Sequence, residues 1–155
     1  VFFLTCASVD YHYAILKELW KNEVEGEVAS ISLHKLHGHM TPSARHKAYK
    51  AFSEGSGISK GCTDVMLATD LVARGVDIPK VDWIIQFDLP QSPSFFIHRV
   101  GRTARAGRDG QAIACMLESE VDGYLSFLKC RGVSLSKWED DDVENERYVE
   151  EHKHF

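Results

Sequence analysis

Short β-branched or aromatic runs alternate along the chain with amphipathic segments. The runs are Val1–Thr5, Val28–Leu33, Asp64–Ala68, Val81–Phe87 and Gln111–Leu117. Several are apolar at nearly every position, as strands covered on both faces are. Helical periodicity predicts helices over Ala7–Lys21, Pro42–Glu54 and about Glu120–Lys129, with a further one starting at Ser92. The clearest start and stop signals flank Pro42–Glu54: Thr41 as N-cap, Pro42 at the first helical position and Gly55 just past the end. Ser92 followed by Pro93 repeats the N-terminal half of that signature. Strands alternating with helices in this way build an α/β fold, a mostly parallel sheet with helices on both faces. In such a sheet functional groups gather at the carboxyl ends of strands and on the loops that follow. Attention therefore falls on "TCAS", "HGHM", "ATDLVARGVDIP" and "DLPQSPSFFIHRVGRTARAGR".

Composition narrows the class. With 155 residues, 44% hydrophobic and 26% charged, the chain suits one globular domain. No apolar run approaches the roughly 20 residues that cross a bilayer, so no membrane role is expected. The four cysteines, Cys6, Cys62, Cys115 and Cys130, form no CxxC pair and suggest neither a disulfide framework nor a zinc knuckle. A reducing, intracellular setting is expected. The chain opens on "VFFLT" without an initiator Met or a signal-peptide pattern, and is expected to be an excised piece. Net charge is −5, but residues 139–155 hold eight acidic residues against Arg147 and Lys153, a balance of −6 that leaves +1 for residues 1–138. The expected division is a domain over 1–138 and, over 139–155, an acidic tail or the start of a C-terminal extension.

Candidate chemistry sorts into fragments and one constellation. Gly55, Gly57, Lys60 and Gly61 hint at a phosphate loop, but GxxxxGK[ST] belongs between a strand and a helix and this segment follows a helix. It reads as a surface turn. No other Walker-type sequence is present, nor an acidic pair ending an apolar strand that could hold magnesium. His34, His37 and His39 lack a Cys or carboxylate partner at zinc-site spacing, so no metal site is expected. The constellation is Arg99, Arg102, Arg105 and Arg108, one every third residue, with Gly101, Gly107 and Gly110 among them. Guanidinium forks stay charged and match phosphate oxygens bidentately, so the cluster points to phosphate or nucleic acid. If a helix persists, Arg99, Arg102 and Arg105 splay from one side, although Gly101 and Gly107 weaken it. "ATDLVARGVDIP" presents a hydroxyl, carboxylates and bare backbone on one strand-end loop, and with the arginines it reads as one edge of a polyphosphate site.

Together these segments resemble the C-terminal RecA-like domain of DEAD-box ATP-dependent RNA helicases over about Val1–Lys129. "FFLTCAS" is similar to the family's fourth motif, "LHGHMTPSAR" to the HG...R element after it, "ATDLVARGVDIP" to the fifth motif and "HRVGRTARAGR" to the sixth. Ala104 stands where many members have Gly. The resemblance implies a P-loop NTPase-type architecture lacking its own P-loop. It implies Arg102 and Arg105 as arginine fingers on the γ-phosphate of ATP, with the ATP and its Mg²⁺ held mainly by an N-terminal RecA-like domain absent from this chain. It further implies Gly75 and Asp77 at the nucleotide, His98 and Arg99 coupling to the other domain's acidic motif and to the fifth motif, and Thr5, Gly38, Arg45, Thr69, Asp70 and Arg74 on RNA sugar and phosphate. "TCAS" with Val9, Asp10 and Tyr11 resembles the branch acting in large ribosomal subunit assembly, which implies pre-ribosomal particles as partners and a nuclear or nucleolar location. Half of a DNA translocase and an ATP-independent RNA-binding module are the alternatives.

Overall fold

The structure, a computed structural model, describes residues 1–22, 31–55, 63–70, 81–103 and 110–138. Its elements in chain order are α1 (Cys6–Asn22), β1 (Ile31–Leu36), α2 (Pro42–Ser53), β2 (Thr63–Ala68), β3 (Trp83–Gln86), α3 (Pro93–Val100), β4 (Gln111–Ala114) and α4 (Glu118–Lys129). β1 pairs parallel with β2, from Ile31 opposite Thr63 to Leu36 opposite Ala68. β3 pairs parallel with β4, from Trp83 opposite Gln111 to Gln86 opposite Ala114. The first residues join the two pairs, because Phe2 bridges in parallel to Ala68 on one side and Gln86 on the other. The result is a parallel sheet in the order β1, β2, N-terminal segment, β3, β4, as the alternating pattern predicts.

Side chains alternate between faces along a strand, and adjacent residues therefore enter different cores. Phe3 joins Val9 and Leu67 under α1, with Leu33, Val65 and Leu16 packed around them. Phe2 joins Leu36, Met66, Ala68 and Ile84 on the other face, against Tyr49 and Phe52 of α2. A third cluster, Phe96, Leu128 and Val133, ties α3 to α4. Among the described residues no helix is long and apolar enough to cross a membrane.

Element boundaries depart from the sequence reading where polar residues find distant partners. β1 begins at Ile31 and runs to Leu36 rather than ending at Leu33. His34 and Lys35 are accommodated in the strand because His34 Nε2 bonds Asp64 Oδ1 at 3.0 Å and Lys35 Nζ donates to Asp10. The N-terminal strand stops short of Thr5, whose hydroxyl accepts the Ser8 N–H at 3.0 Å and caps α1. α2 follows its expectation: Thr41 Oγ1 accepts from Ala44 N at 3.2 Å, Pro42 opens the helix, and Gly55 lies beyond the end at φ 56°. Ser92 occupies the N-cap of α3 but makes no cap bond; its hydroxyl pairs instead with Ser94 Oγ at 3.1 Å. Residues 56–62, which hold most of the glycine-serine loop, lie outside the described residues, as do 139–155.

Candidate functional site

Arg99 sits one residue before the end of α3 and is fully buried. Helical side chains lean toward the helix N-terminus, and this one reaches the carboxyl edge of the sheet. Nε donates to Asp70 Oδ1 at 2.6 Å and Nη2 to Asp70 Oδ2 at 2.9 Å, a bidentate fork. Nη1 donates to the Asp88 carbonyl at 2.7 Å and to Gln86 Oε1 at 3.3 Å. The guanidinium also lies 5.0 Å from the centroid of the Phe2 ring. One side chain thus ties together the ends of β2, the N-terminal segment and β3. A charge so deeply buried persists because it is paired and its donors are satisfied. Its field reaches further: burial pushes the Val1 amino group down to about 5, with the Arg99 charge as the second cause. Burial pushes the Tyr124 hydroxyl, which donates to the Pro90 carbonyl at 3.0 Å, up to about 12.

Arg102 occupies a different place. α3 ends at Val100, and tight turns carry the chain on, with Arg102 N donating to the Arg99 carbonyl at 3.1 Å and Thr103 N to the Val100 carbonyl at 2.9 Å. The Thr103 hydroxyl contacts the carbonyls of Val81 and Asp82 at 2.6 and 3.0 Å, while Val81 N donates to the Arg102 carbonyl at 3.4 Å. These contacts put Arg102 at the amino end of β3, not at the carboxyl edge where the sheet rule directs attention. There it lines a small apolar pocket with Val1, Phe52, Met66, Val81 and Trp83. Arg99 and Arg102 therefore do not splay from one helical side. Arg105, Arg74, Gly75 and Asp77 lie outside the described residues.

Several remaining candidates converge on the carboxyl edge. Thr5 follows the N-terminal segment, Gly38 lies in the exposed turn after β1, Arg45 is in the second turn of α2, and Thr69 and Asp70 follow β2. Thr69 is buried, its N–H donating to the Leu36 carbonyl at 3.3 Å. Asp70 offers both carboxylate oxygens to Arg99. His98 is exposed beside buried Arg99.

Carboxylates near the strand ends have partners: Asp10 with Lys35 and His37, Asp64 with His34, Asp70 with Arg99, and Asp88 with Leu4 N. The bond from Lys35 holds the Asp10 carboxyl below its usual range, with a smaller contribution from His37. Among the described residues no group of three or more His, Cys, Asp or Glu is placed to hold a metal ion. Sequence reasoning passed over Gln86 and Asp88, which both bond Arg99. A signal existed, since "FDLP" ends an apolar run on a carboxylate as "ATD" does.

Comparison with known proteins places this geometry. Residues 1–107 match the family described as helicase conserved C-terminal domain. The chain is 44% identical over 135 residues to a probable ATP-dependent RNA helicase, ddx55, of Dictyostelium discoideum, covering 87% of this chain and 18% of that protein. It is 39% identical over 144 residues to the ATP-dependent rRNA helicase SPB4 of Meyerozyma guilliermondii, covering 92% of this chain and 23% of that one. The chain thus spans about a fifth of the length of these relatives. Its fold matches Dbp5 of S. cerevisiae bound to RNA and ADP BeF3, with a TM-score of 0.67 and 29% identity over 92% of this chain and 35% of that one.

Proposed function

The chain belongs to the helicase conserved C-terminal domain family and is a RecA-like domain of the DEAD-box type, and on that premise we propose that it serves as the second domain of an ATP-dependent RNA helicase working on ribosomal RNA. The observation that carries this reading is the bidentate Arg99–Asp70 pair, which locks the "HRVGR" segment to the "ATD" segment. The first segment holds Arg102, assigned to ATP, and the second holds Thr69 and Asp70, assigned to RNA. A rigid link between them is what coupling hydrolysis to strand binding needs.

In this reading Arg102 and Arg105 approach the γ-phosphate of an ATP held by an N-terminal RecA-like domain, which also holds Mg²⁺. Phosphoryl transfer is accelerated chiefly by charge placed where negative charge develops, and a finger delivered from a second domain makes hydrolysis conditional on closure. Gly75 and Asp77 contact the nucleotide, and His98 with Arg99 relays closure. Thr5, Gly38, Arg45, Thr69, Asp70 and Arg74 hold sugar and phosphate, which carry little base identity, so binding is largely indifferent to sequence. Closure around both ligands bends the strand and unpairs a short duplex. The likeness to rRNA helicases supports pre-ribosomal particles as partners and a nuclear or nucleolar location. The test is biochemical: the isolated chain binds single-stranded RNA yet hydrolyses no ATP, and adding the N-terminal domain restores RNA-stimulated turnover. Turnover by the isolated chain would overturn the two-domain reading.

A further inference from the structure

At the carboxyl edge one residue outside the assigned set touches both halves of the candidate site. Asp88 follows β3 by two positions, and its three polar groups point three ways. Its Oδ2 accepts the Leu4 N–H at 2.9 Å. Its carbonyl accepts Arg99 Nη1 at 2.7 Å. Its own N–H donates to the Phe2 carbonyl at 3.2 Å. Leu4 immediately precedes Thr5, whose hydroxyl accepts the Ser8 N–H at 3.0 Å and contacts Ser8 Oγ at 2.8 Å, so the Leu4 bond lies one residue from the cap of α1. Arg99 in turn holds both oxygens of Asp70.

The bond to Leu4 is unusual for its position. Phe3 N–H still donates to a neighbouring strand, at the Ala68 carbonyl, but one residue later the chain has left the sheet and Leu4 is 46% exposed. Water could satisfy that amide as well, but water does not hold an angle. A carboxylate anchored by its own main chain to Phe2 and Arg99 does, and bonds to an ionised acceptor are the shorter and stronger kind. We propose that Asp88 is a positioning residue for RNA binding. Its side chain sets the Thr5 hydroxyl and the first turn of α1, while its main chain shares the Arg99–Asp70 pair, so the two move as one unit. This rests on the reading of the carboxyl edge as an RNA surface. The two arms separate cleanly, because removing the side chain cuts the Leu4 arm and leaves the carbonyl to Arg99 in place.

The test measures binding of a fluorescein-labelled oligouridylate to the 155-residue chain by anisotropy, together with amide hydrogen exchange at Leu4 and Ser8. Asp88→Ala is expected to weaken binding about fivefold to tenfold, the net worth of about one solvent-exposed hydrogen bond, and to speed exchange at Leu4. Asp88→Asn keeps an acceptor and should stay within about twofold of wild type on both readouts, which a general loss of stability would not reproduce. A carboxylate acting only by repelling phosphate gives the opposite sign: both variants bind more tightly, and that overturns the proposal. Equal binding by wild type and Asp88→Ala overturns it too. If the wild-type chain binds no RNA, the RNA reading fails, and unchanged exchange at Leu4 in Asp88→Ala overturns the link to α1 independently. Should Asp88→Ala not fold, Asp88→Asn decides alone, a tenfold loss contradicting a role as acceptor.

Discussion

The two edges of the sheet hold two arginines three positions apart in sequence and treat them oppositely. At the carboxyl edge Arg99 is sealed from solvent, forked onto Asp70, bonded to Asp88 and Gln86, and laid over Phe2. At the amino end of β3 Arg102 is half-buried in the wall of an apolar pocket, on a turn held by Thr103. What separates them is where α3 ends. A continued helix would keep residues three apart on one side. Gly101 instead takes the C-cap, with its N–H on the Ile97 carbonyl at 2.8 Å, and the chain turns beneath β3. The same residue type thereby becomes an internal tie in one place and a group presented from a turn in the other.

The largest effect expected is on Arg102. If it acts across a cleft, Arg102→Ala in the full-length protein lowers RNA-stimulated ATP hydrolysis by on the order of 10³-fold or more, while RNA affinity and the urea midpoint of this domain change little. Steady-state ATPase rates with and without RNA check this, and turnover that survives removes Arg102 from the chemistry. Arg99 should fail in the other way. Asp70→Ala leaves a buried guanidinium without its counter-ion and should cost about 3 kcal/mol of folding stability, read as a lower urea midpoint at unchanged slope. Arg99→Lys should fare little better, because one ammonium cannot reproduce a fork plus two further bonds. A variant at Asp70 that abolished RNA binding without lowering the midpoint would erase the contrast between the two edges.

How far this contrast was legible in the sequence depends on the range of the interactions. The parallel order, the alternation of Phe2 and Phe3 between two cores, and the cap at Thr41 follow from period and local chemistry. The spacing of the arginines was also visible, and so was the glycine that weakens their helix. Hidden from the pattern was every feature made by distant polar partners. His34 and Lys35 read as lying past the end of a strand, yet they are inside one, bonded to Asp64 and Asp10. Thr5 read as strand and is a helix cap, its hydroxyl accepting the Ser8 N–H, while its neighbour Leu4 bonds a residue 84 positions away. The rule that sites gather at carboxyl ends pointed to the segments holding Thr5, Gly38, Thr69 and Asp70, which do lie at that edge, but it misplaced Arg102, which the turn after α3 takes to the opposite edge.

The smallest effect expected is electrostatic, at an amine that both arginines touch on: Arg102 through burial and Arg99 through charge. Burial, to which Arg102 contributes as a wall of the same pocket, and after it the Arg99 charge, lower the Val1 amino group from 8.0 to about 5. The folded state therefore disfavours the protonated amine. Between about pH 5 and pH 8 the unfolded chain binds more protons, and stability from this group rises with pH, reaching its full value above pH 8 and falling away as pH drops toward 5. At pH 7, one unit below the unfolded value, the penalty is about 1.4 kcal/mol. Nα-acetylation removes the titrating group yet keeps an N–H for the Met66 carbonyl, which the amine meets at 2.7 Å. The acetylated chain should gain about 1 kcal/mol at pH 7 and lose this slope, as urea titrations at several pH values would show. Because Arg102 lines the same pocket as Val1 and burial is the larger cause, Arg102→Ala should uncover the amine, let it move back toward its ordinary value and flatten the slope, and an unchanged slope in that variant would mean that Arg102 does not shield Val1.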